Sequence, residues 1–494
     1  MQQTDVIVVG KGNAALCAAL EARANGARVV ILEAAPEEES GGNSRFAGGM
    51  LRFAYNSVED LRTLLEITDE EAGMTDWDSN TVDEFYDDLY QVTNYRTDPQ
   101  LSERLVTQSF AAMQWLRKQG VRFVLNYRAS AVVEGRRRFF GRVPVEVSGG
   151  GPGLVQFLDQ AALKAGIDIQ YDTRAVELIY DGEKVSGVKA KRKGRLLEFH
   201  APSVILACGG FEANPEWRTK YLGPGWELAK VRGTRFNVGE GLQMALDIGA
   251  CPNGNWSGRH TTSWERHAPE FGDLALDHAC HRHSYPLSLM INADGKRFVD
   301  EGAEFYSYTY AKYGEQVFKQ PEQFAWQVFD AKTRHLLRAE YLGKVATRVS
   351  ADTLEALAEK LEGVNTRGFL KTVREYNAAV RRDLPFNPGI KDGKCTTGIE
   401  PPKSNWANVL DTPPYEAWHV TAGITFTFGG LRIDPDSAQV LDVSLQPIPG
   451  LYTSGEMVGG VFYFNYPLGS GLVSGTVFGR IAGRAAATAA LTQA

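Results

Sequence analysis

The sequence predicts an α/β fold: a doubly wound, mainly parallel sheet interrupted by a large α+β insertion. Three observations point there. The first 34 residues run from an apolar stretch, Val6-Ile7-Val8-Val9, through a glycine turn and an alanine-rich helical segment to a second apolar stretch, Val29–Leu32, as a βαβ unit does. Short apolar runs ending in glycine return at Ser203–Gly210 and Leu451–Glu456, the form of buried parallel strands whose ends line a ligand crevice. From about residue 255 to 422 those signals thin out, and loops bearing histidine, tyrosine and tryptophan take their place. The expected domains are therefore 1–254 and 423–494 as one unit, with 255–422 inserted into it.

Length and composition bound the possibilities. A chain of 494 residues exceeds one ordinary core, and 43% hydrophobic with 23% charged residues is the balance of a globular protein in water. No apolar run has the length of a membrane span. Met1–Thr4 leads straight into the first strand, which leaves no room for a signal peptide, so a cytoplasmic location is expected. A net charge of −7 argues against nucleic acid as a partner. The five cysteines, at 17, 208, 251, 280 and 395, form no CxxC, so iron–sulfur, zinc-ribbon and haem-attachment sites are not expected, nor are disulfides. His281-Arg282-His283 lacks further ligands at metal spacing, and no metal site is expected.

The elements follow in order. Gly41–Gly49 is a glycine-rich loop, and Met50–Phe53 returns to apolar character. Residues 57–93 read as acidic surface helices. Asp98-Pro99 opens a helix with a buried stripe of Leu101, Leu105, Met113 and Leu116, stopped at Gly120. After a second glycine loop, 148–153, a helix runs from Leu154 to Lys164. Strands are expected over Ile167–Tyr171, Ala175–Tyr180, Val185–Lys191, Leu196–Phe199 and Ser203–Leu206, then a helix over Leu242–Ile248. Gly423–Ile433 and Leu451–Glu456 resume strand character, and the helix opened at Asn465–Leu472 runs to the C-terminus.

The opening βαβ unit carries a dinucleotide fingerprint. Gly10 permits the tight turn out of the strand, Gly12 lets backbone approach a pyrophosphate, and small Ala15 lets helix and strand pack closely. Amides at the helix start, Asn13 and Ala14, face the phosphates, where the helix dipole favours negative charge. Glu33, followed by Ala34, lies about twenty residues further on, where a carboxylate accepts ribose hydroxyls and repels a 2′-phosphate. This selects FAD or NAD over NADP without choosing between them. Asn43, Ser44, Ala47, Gly48 and Gly49 supply small residues for backbone lying against the ligand. Ala175, the strand end Ala207-Gly209-Gly210, the turn Gly455-Glu456 and the helix start Ser470-Gly471-Leu472 complete the expected cofactor set. Amides of that last helix are placed to favour charge on a reduced ring.

GKGNAA, GGNSRFAGG, ILACGGF, MINADGKRFVDE, FTFGGLRID and SGEMVGG…NYPLGSGL occur in one order across nearly the whole chain. This resembles the flavoprotein family of fumarate reductase and succinate dehydrogenase. Within it, GKGNAALCAAL, YTYAKYG and GEMVGGVFYFNYP are similar to tricarballylate dehydrogenases. The resemblance implies a Rossmann-like FAD-binding domain (GR2-type, three-layer ββα) split by a capping domain, with substrate between cap and flavin. It also implies non-covalent FAD, since the loop 43–49 lacks the histidine of covalent members. The electron donor or acceptor, whether protein, quinone or oxygen, is expected to be a separate molecule.

Carried over residue by residue, the resemblance makes His260, in Arg259-His260-Thr261-Thr262, a substrate-carboxylate ligand. Three cationic positions of the fumarate reductases are missing. No arginine follows Glu301, Gly423–Gly430 has Thr425 and Phe426 but no histidine, and Tyr466 stands in place of the C-terminal arginine. A cation-poor, tyrosine-rich site is thus expected, which disfavours fumarate and succinate as substrates. Catalytic candidates are Tyr466, Tyr306, Tyr308 and His260, with Tyr463 a further hydroxyl donor. Substrate-binding candidates are His260, Thr261, His283, Thr425 and Arg138, with Arg137, Arg142 and Arg282 comparable. The reaction implied is dehydrogenation, or its reverse, at a CH–CH bond beside a carbonyl or carboxylate. Tyr466-Pro467 is also similar to 3-ketosteroid 1-dehydrogenases, a second possibility. A third is an electron-transfer subunit with a vestigial substrate site.

Overall fold

The computed structural model describes residues 4–276 and 279–492. In chain order its framework is β1 (Val6–Val9), α1 (Asn13–Ala24), β2 (Val29–Leu32), β3 (Asp168–Gln170), β4 (Ser203–Leu206), β5 (Pro252–Glu265), β6 (Leu289–Ile291), α2 (Tyr306–Phe318), β7 (Ala325–Phe329), β8 (Arg348–Ala351), β9 (Tyr415–Leu431), β10 (Gln439–Leu441), β11 (Pro447–Thr453) and α3 (Ser470–Thr492). The main sheet has the order β10-β11-β4-β1-β2-β3, parallel throughout except for the antiparallel edge strand β10.

Every residue of β1, β2 and β4 is buried. Strands covered on both faces need apolar side chains at every position, which is why these runs show no alternation in sequence. Val6 and Val8 pack with α1 and α3, while Ile7 and Val9 pack with a three-stranded antiparallel sheet formed by residues 173–180, 185–192 and 195–200. The result is the expected three-layer ββα arrangement.

Glycines 475, 479 and 483, four apart on one face of α3, let it lie directly on α1; a Cβ at Gly479 would stand 2.6 Å from the Ala14 carbonyl oxygen. This close crossing brings the two helix N-termini together, and the Asn13 side-chain amide donates to the Leu472 carbonyl at 2.7 Å.

The insertion is built on β9, seventeen residues long, which pairs antiparallel with β5 from Pro252↔Leu431 to Glu265↔Val420. Further along, β9 pairs with β7 and β8, and β6 adds to β7. Long strands thus stand where the sequence suggested loops. Tyr415–Ile424 is buried at every position, so it carries no period of two, and β5 starts with the strand-poor Pro252-Asn253-Gly254-Asn255. The boundaries expected at 254/255 and 422/423 fall inside β5 and β9, where Gly254 pairs with Gly429 and Thr262 with Gly423. Among the described residues, no helix is long and apolar enough to cross a membrane.

Candidate active site

A single cleft, about 1940 Å³ of atom-free space including its mouth, runs from the β1–α1 turn to the inserted sheet. Gly10 turns with φ +102°, and a Cβ there would meet the Ala207 carbonyl oxygen at 2.5 Å. Gly12, Asn13, Ala14, Ala34, Asn43, Ser44, Ala47, Gly48 and Gly49 line the same groove, as do Ala175, Ala207, Gly209, Gly455, Glu456, Gly471 and Leu472. Glu33 lines it too: one oxygen accepts from the Ala35 amide at 2.8 Å, and burial pushes its pKa up. A ribose edge offers the missing donors, so the residues present fit the adenosine end of FAD.

Three of the expected cofactor residues stand behind the surface rather than on it. Ala15 is fully buried in α1, Gly210 packs under the Glu456 and Thr427 side chains, and Ser470 is buried at the start of α3. Lys11, inside the fingerprint, turns away to pair with Asp159 at 2.8 Å.

Beside the groove two carboxyls lie together, Glu212 fully buried and Glu456 partly exposed in the lining. The Asn43 and Asn237 amides donate to Glu212 Oε1 at 2.5 and 2.7 Å, and the Thr427 amide donates to Glu456 Oε1 at 2.7 Å. Burial and then the neighbouring Glu456 drive the Glu212 pKa well up.

The far end of the cleft is aromatic. His260, on β5, stacks on Phe426 of β9 at 5.1 Å and meets the rings of Tyr310 and Tyr466 edge-on at 4.7 and 5.1 Å. Burial, then the Arg232 charge, pull the His260 pKa well down, so its imidazole is neutral; its Nδ1 has no hydrogen-bond partner. Tyr466 Oη accepts from the Gly469 amide at 3.0 Å. Burial raises its pKa, partly offset by the neighbouring Tyr310 side chain and the Gly469 amide.

Tyr306, His283 and Thr425 also line the cleft, and His283 contacts the Thr262 hydroxyl. Several expected residues do not reach it. Tyr308 points the other way, donating to Asp88 at 2.9 Å beside the buried Arg52. Arg138 is exposed on a peripheral hairpin, because alternation along the strand 136–139 turns it to water. Thr261 is buried outside the lining, and Tyr463 is half-buried outside it. Arg142 pairs with Asp88 and Glu84, and Arg282 with Glu265.

Sequence reasoning missed Tyr310, Arg128, Arg232 and Arg338, all in the lining. The expectation of a cation-poor site is therefore corrected: the three family positions carry no cation, but the fold brings arginines from three other segments. Arg338 Nε donates to Glu340 at 2.8 Å and its guanidinium lies 5.0 Å over the Tyr306 ring. Arg232 approaches Thr425 Oγ1 and the Phe46 carbonyl at 3.4 and 3.3 Å. The argument from missing cations against fumarate and succinate is weakened accordingly.

Fold and cleft define a dinucleotide-binding protein with an enclosed reaction chamber beyond the cofactor groove. The FAD binding domain family matches residues 5–473, and the chain belongs to it and to the fumarate reductase/succinate dehydrogenase flavoproteins within it. It is similar to a probable fumarate reductase, Ifc3, of Shewanella frigidimarina (strain NCIMB 400), at 30% identity over 94% of this chain and 71% of the relative. An NADH:fumarate oxidoreductase of Klebsiella pneumoniae (strain 342) is 28% identical over 92% of this chain, which spans only 44% of that relative's length. Among solved structures, the open conformation of a flavocytochrome c3 fumarate reductase superposes with a TM-score of 0.74, at 28% identity, covering 99% of this chain and 79% of that one. The cofactor is accordingly FAD, and the chain is an FAD-dependent oxidoreductase.

Proposed function

We propose that the chain transfers hydrogen across a CH–CH bond next to a carboxylate or carbonyl, in the manner of a tricarballylate dehydrogenase, with FAD held non-covalently. The observation that carries this reading is the Tyr466–His260–Tyr310 cluster at the N-terminal end of α3, in the same cleft as the dinucleotide groove. When bound there, FAD supplies a two-electron hydride acceptor or donor.

The chain's residues supply the rest. Glu33 and the α1 amides hold the adenosine and pyrophosphate, and the α3 N-terminus sets a positive dipole end near Tyr466. Tyr466 Oη–H, its oxygen held by the Gly469 amide and its ring beside Tyr310, donates to the activating carbonyl or carboxylate as enolate-like charge grows on it. Neutral His260 serves as a hydrogen-bonding group toward the substrate, its depressed pKa making it a weak base. The side chains of Phe426, Phe462 and Leu468 keep water from the reacting carbons. His283 and Thr425 contact substrate at the rim, and the electron partner is a separate molecule. Anaerobic addition of tricarballylate, related polycarboxylates and 3-ketosteroids to the FAD-loaded protein tests this: a member of the first two groups should bleach the flavin, and bleaching by the steroids alone would move the reading to a ketone substrate.

A further inference from the structure

Arg232 is 7% exposed, and no carboxylate pairs with it among the described residues. Its two hydrogen bonds are long, at 3.4 and 3.3 Å, both to neutral oxygens, and Nε has no partner. Behind it is a small pocket lined by Phe46, Trp264 and Phe271, with the Trp264 ring 6.0 Å from the guanidinium carbon; Asp273 also lines this pocket but forms no ion pair with the guanidinium. The other two cleft arginines differ: the charge of Arg338 is balanced by Glu340 at 2.8 Å, and Arg128 pairs with Glu146. A buried guanidinium without a counter-ion is costly unless a ligand supplies the anion. Its backbone amide donates to the Ile424 carbonyl at 2.7 Å and its guanidinium reaches Thr425, next to the Phe426 that stacks on His260 at 5.1 Å, which places it at the substrate end rather than the adenosine end.

We propose that Arg232 is the specificity-determining anchor of the substrate: it binds one carboxylate, by a forked pair of N–H···O bonds, beside Thr425 and the Tyr466–His260–Tyr310 cluster. This rests on the reading above for the reaction and adds the requirement that the substrate be an anion. A ketosteroid has no group for this position, and an arginine left buried and unpaired beneath a neutral ligand disfavours that class. The planar fork, not charge alone, sets the geometry, so lysine is not equivalent.

The test uses the FAD-loaded protein with tricarballylate and with its uncharged triamide. Binding is read two ways: by the shift of the flavin absorption bands and by the rise in unfolding temperature. Wild type should bind the acid and not the triamide. Arg232→Met should weaken the acid roughly 30- to 1,000-fold, while the ligand-free variant unfolds no earlier than wild type, because an unpaired buried charge has been removed. Arg232→Lys should fall between them. Unchanged affinity in Arg232→Met, no binding of the acid to wild type, or a ligand-free variant that unfolds much earlier would each overturn the proposal. Acid that binds through Arg232 yet leaves the flavin oxidised would retire the proposed reaction and keep the anion subsite.

Discussion

Replacing Tyr466 by phenylalanine removes one oxygen from a ring that is 7% exposed and tightly surrounded. Two costs follow. The Gly469 amide, which now donates to that oxygen at 3.0 Å, becomes a buried donor without a partner, worth about 1–3 kcal/mol of stability. The larger effect falls on the reaction: losing one preorganised donor to developing negative charge costs about 10²–10³ in rate. The ring contacts with His260 at 5.1 Å and Phe462 at 5.2 Å survive, so substrate affinity should change little. Stopped-flow measurement of anaerobic flavin reduction by substrate separates these effects: the limiting rate should fall at least about 100-fold with half-saturation nearly constant. A rate within a few-fold of wild type in a folded, FAD-loaded variant would refute the role given to this hydroxyl.

Two other perturbations probe the framework. Gly479→Val drives a branched side chain into the Ala14 carbonyl, which cannot yield without separating α1 from α3. It should cost at least about 1–3 kcal/mol of stability and lower FAD retention on gel filtration, whereas full retention with an unchanged unfolding temperature would contradict the crossing. Glu212 has a folded-state pKa well above its ordinary 4.5, chiefly through burial and then Glu456. The folded chain therefore keeps a proton that the unfolded chain releases above that pH, so this group's contribution to stability falls as pH rises from 4.5. Glu212→Gln should flatten the decline of unfolding temperature over that range; a steeper decline would mean the carboxyl is ionised.

The dinucleotide end of the cleft was legible from sequence because its physics is local. A turn, a helix start and an acid at the next strand end are separated by a few tens of residues and constrained by the backbone itself. The chamber was only partly legible. Tyr306, Tyr308 and Tyr310 lie in one stretch, and a helical reading of it would have put Tyr306 and Tyr310 on one face and Tyr308 on the other. That signal was present in YSYTY, and α2 obeys it. For Arg232 and Arg338 no such local signal exists. Each becomes part of the site only through long-range packing: Arg232 through the pairing of residues 230–231 with β9, Arg338 through a loop held by Ser284. The first half of β9, residues 415–422, escaped notice for a related reason, since burial on both faces erases the alternation that marks a strand.

The central claim is that this cleft oxidises or reduces a carbon–carbon bond flanked by an anionic group. Its most direct test is the anaerobic absorption spectrum of the FAD-loaded protein on adding saturated polycarboxylates, and of the photoreduced protein on adding their unsaturated counterparts. The account predicts that at least one acid bleaches the oxidised flavin or that its unsaturated partner restores the colour of the reduced one. A flavin that ignores the whole panel, while exchanging electrons readily with a redox protein or quinone, would contradict it.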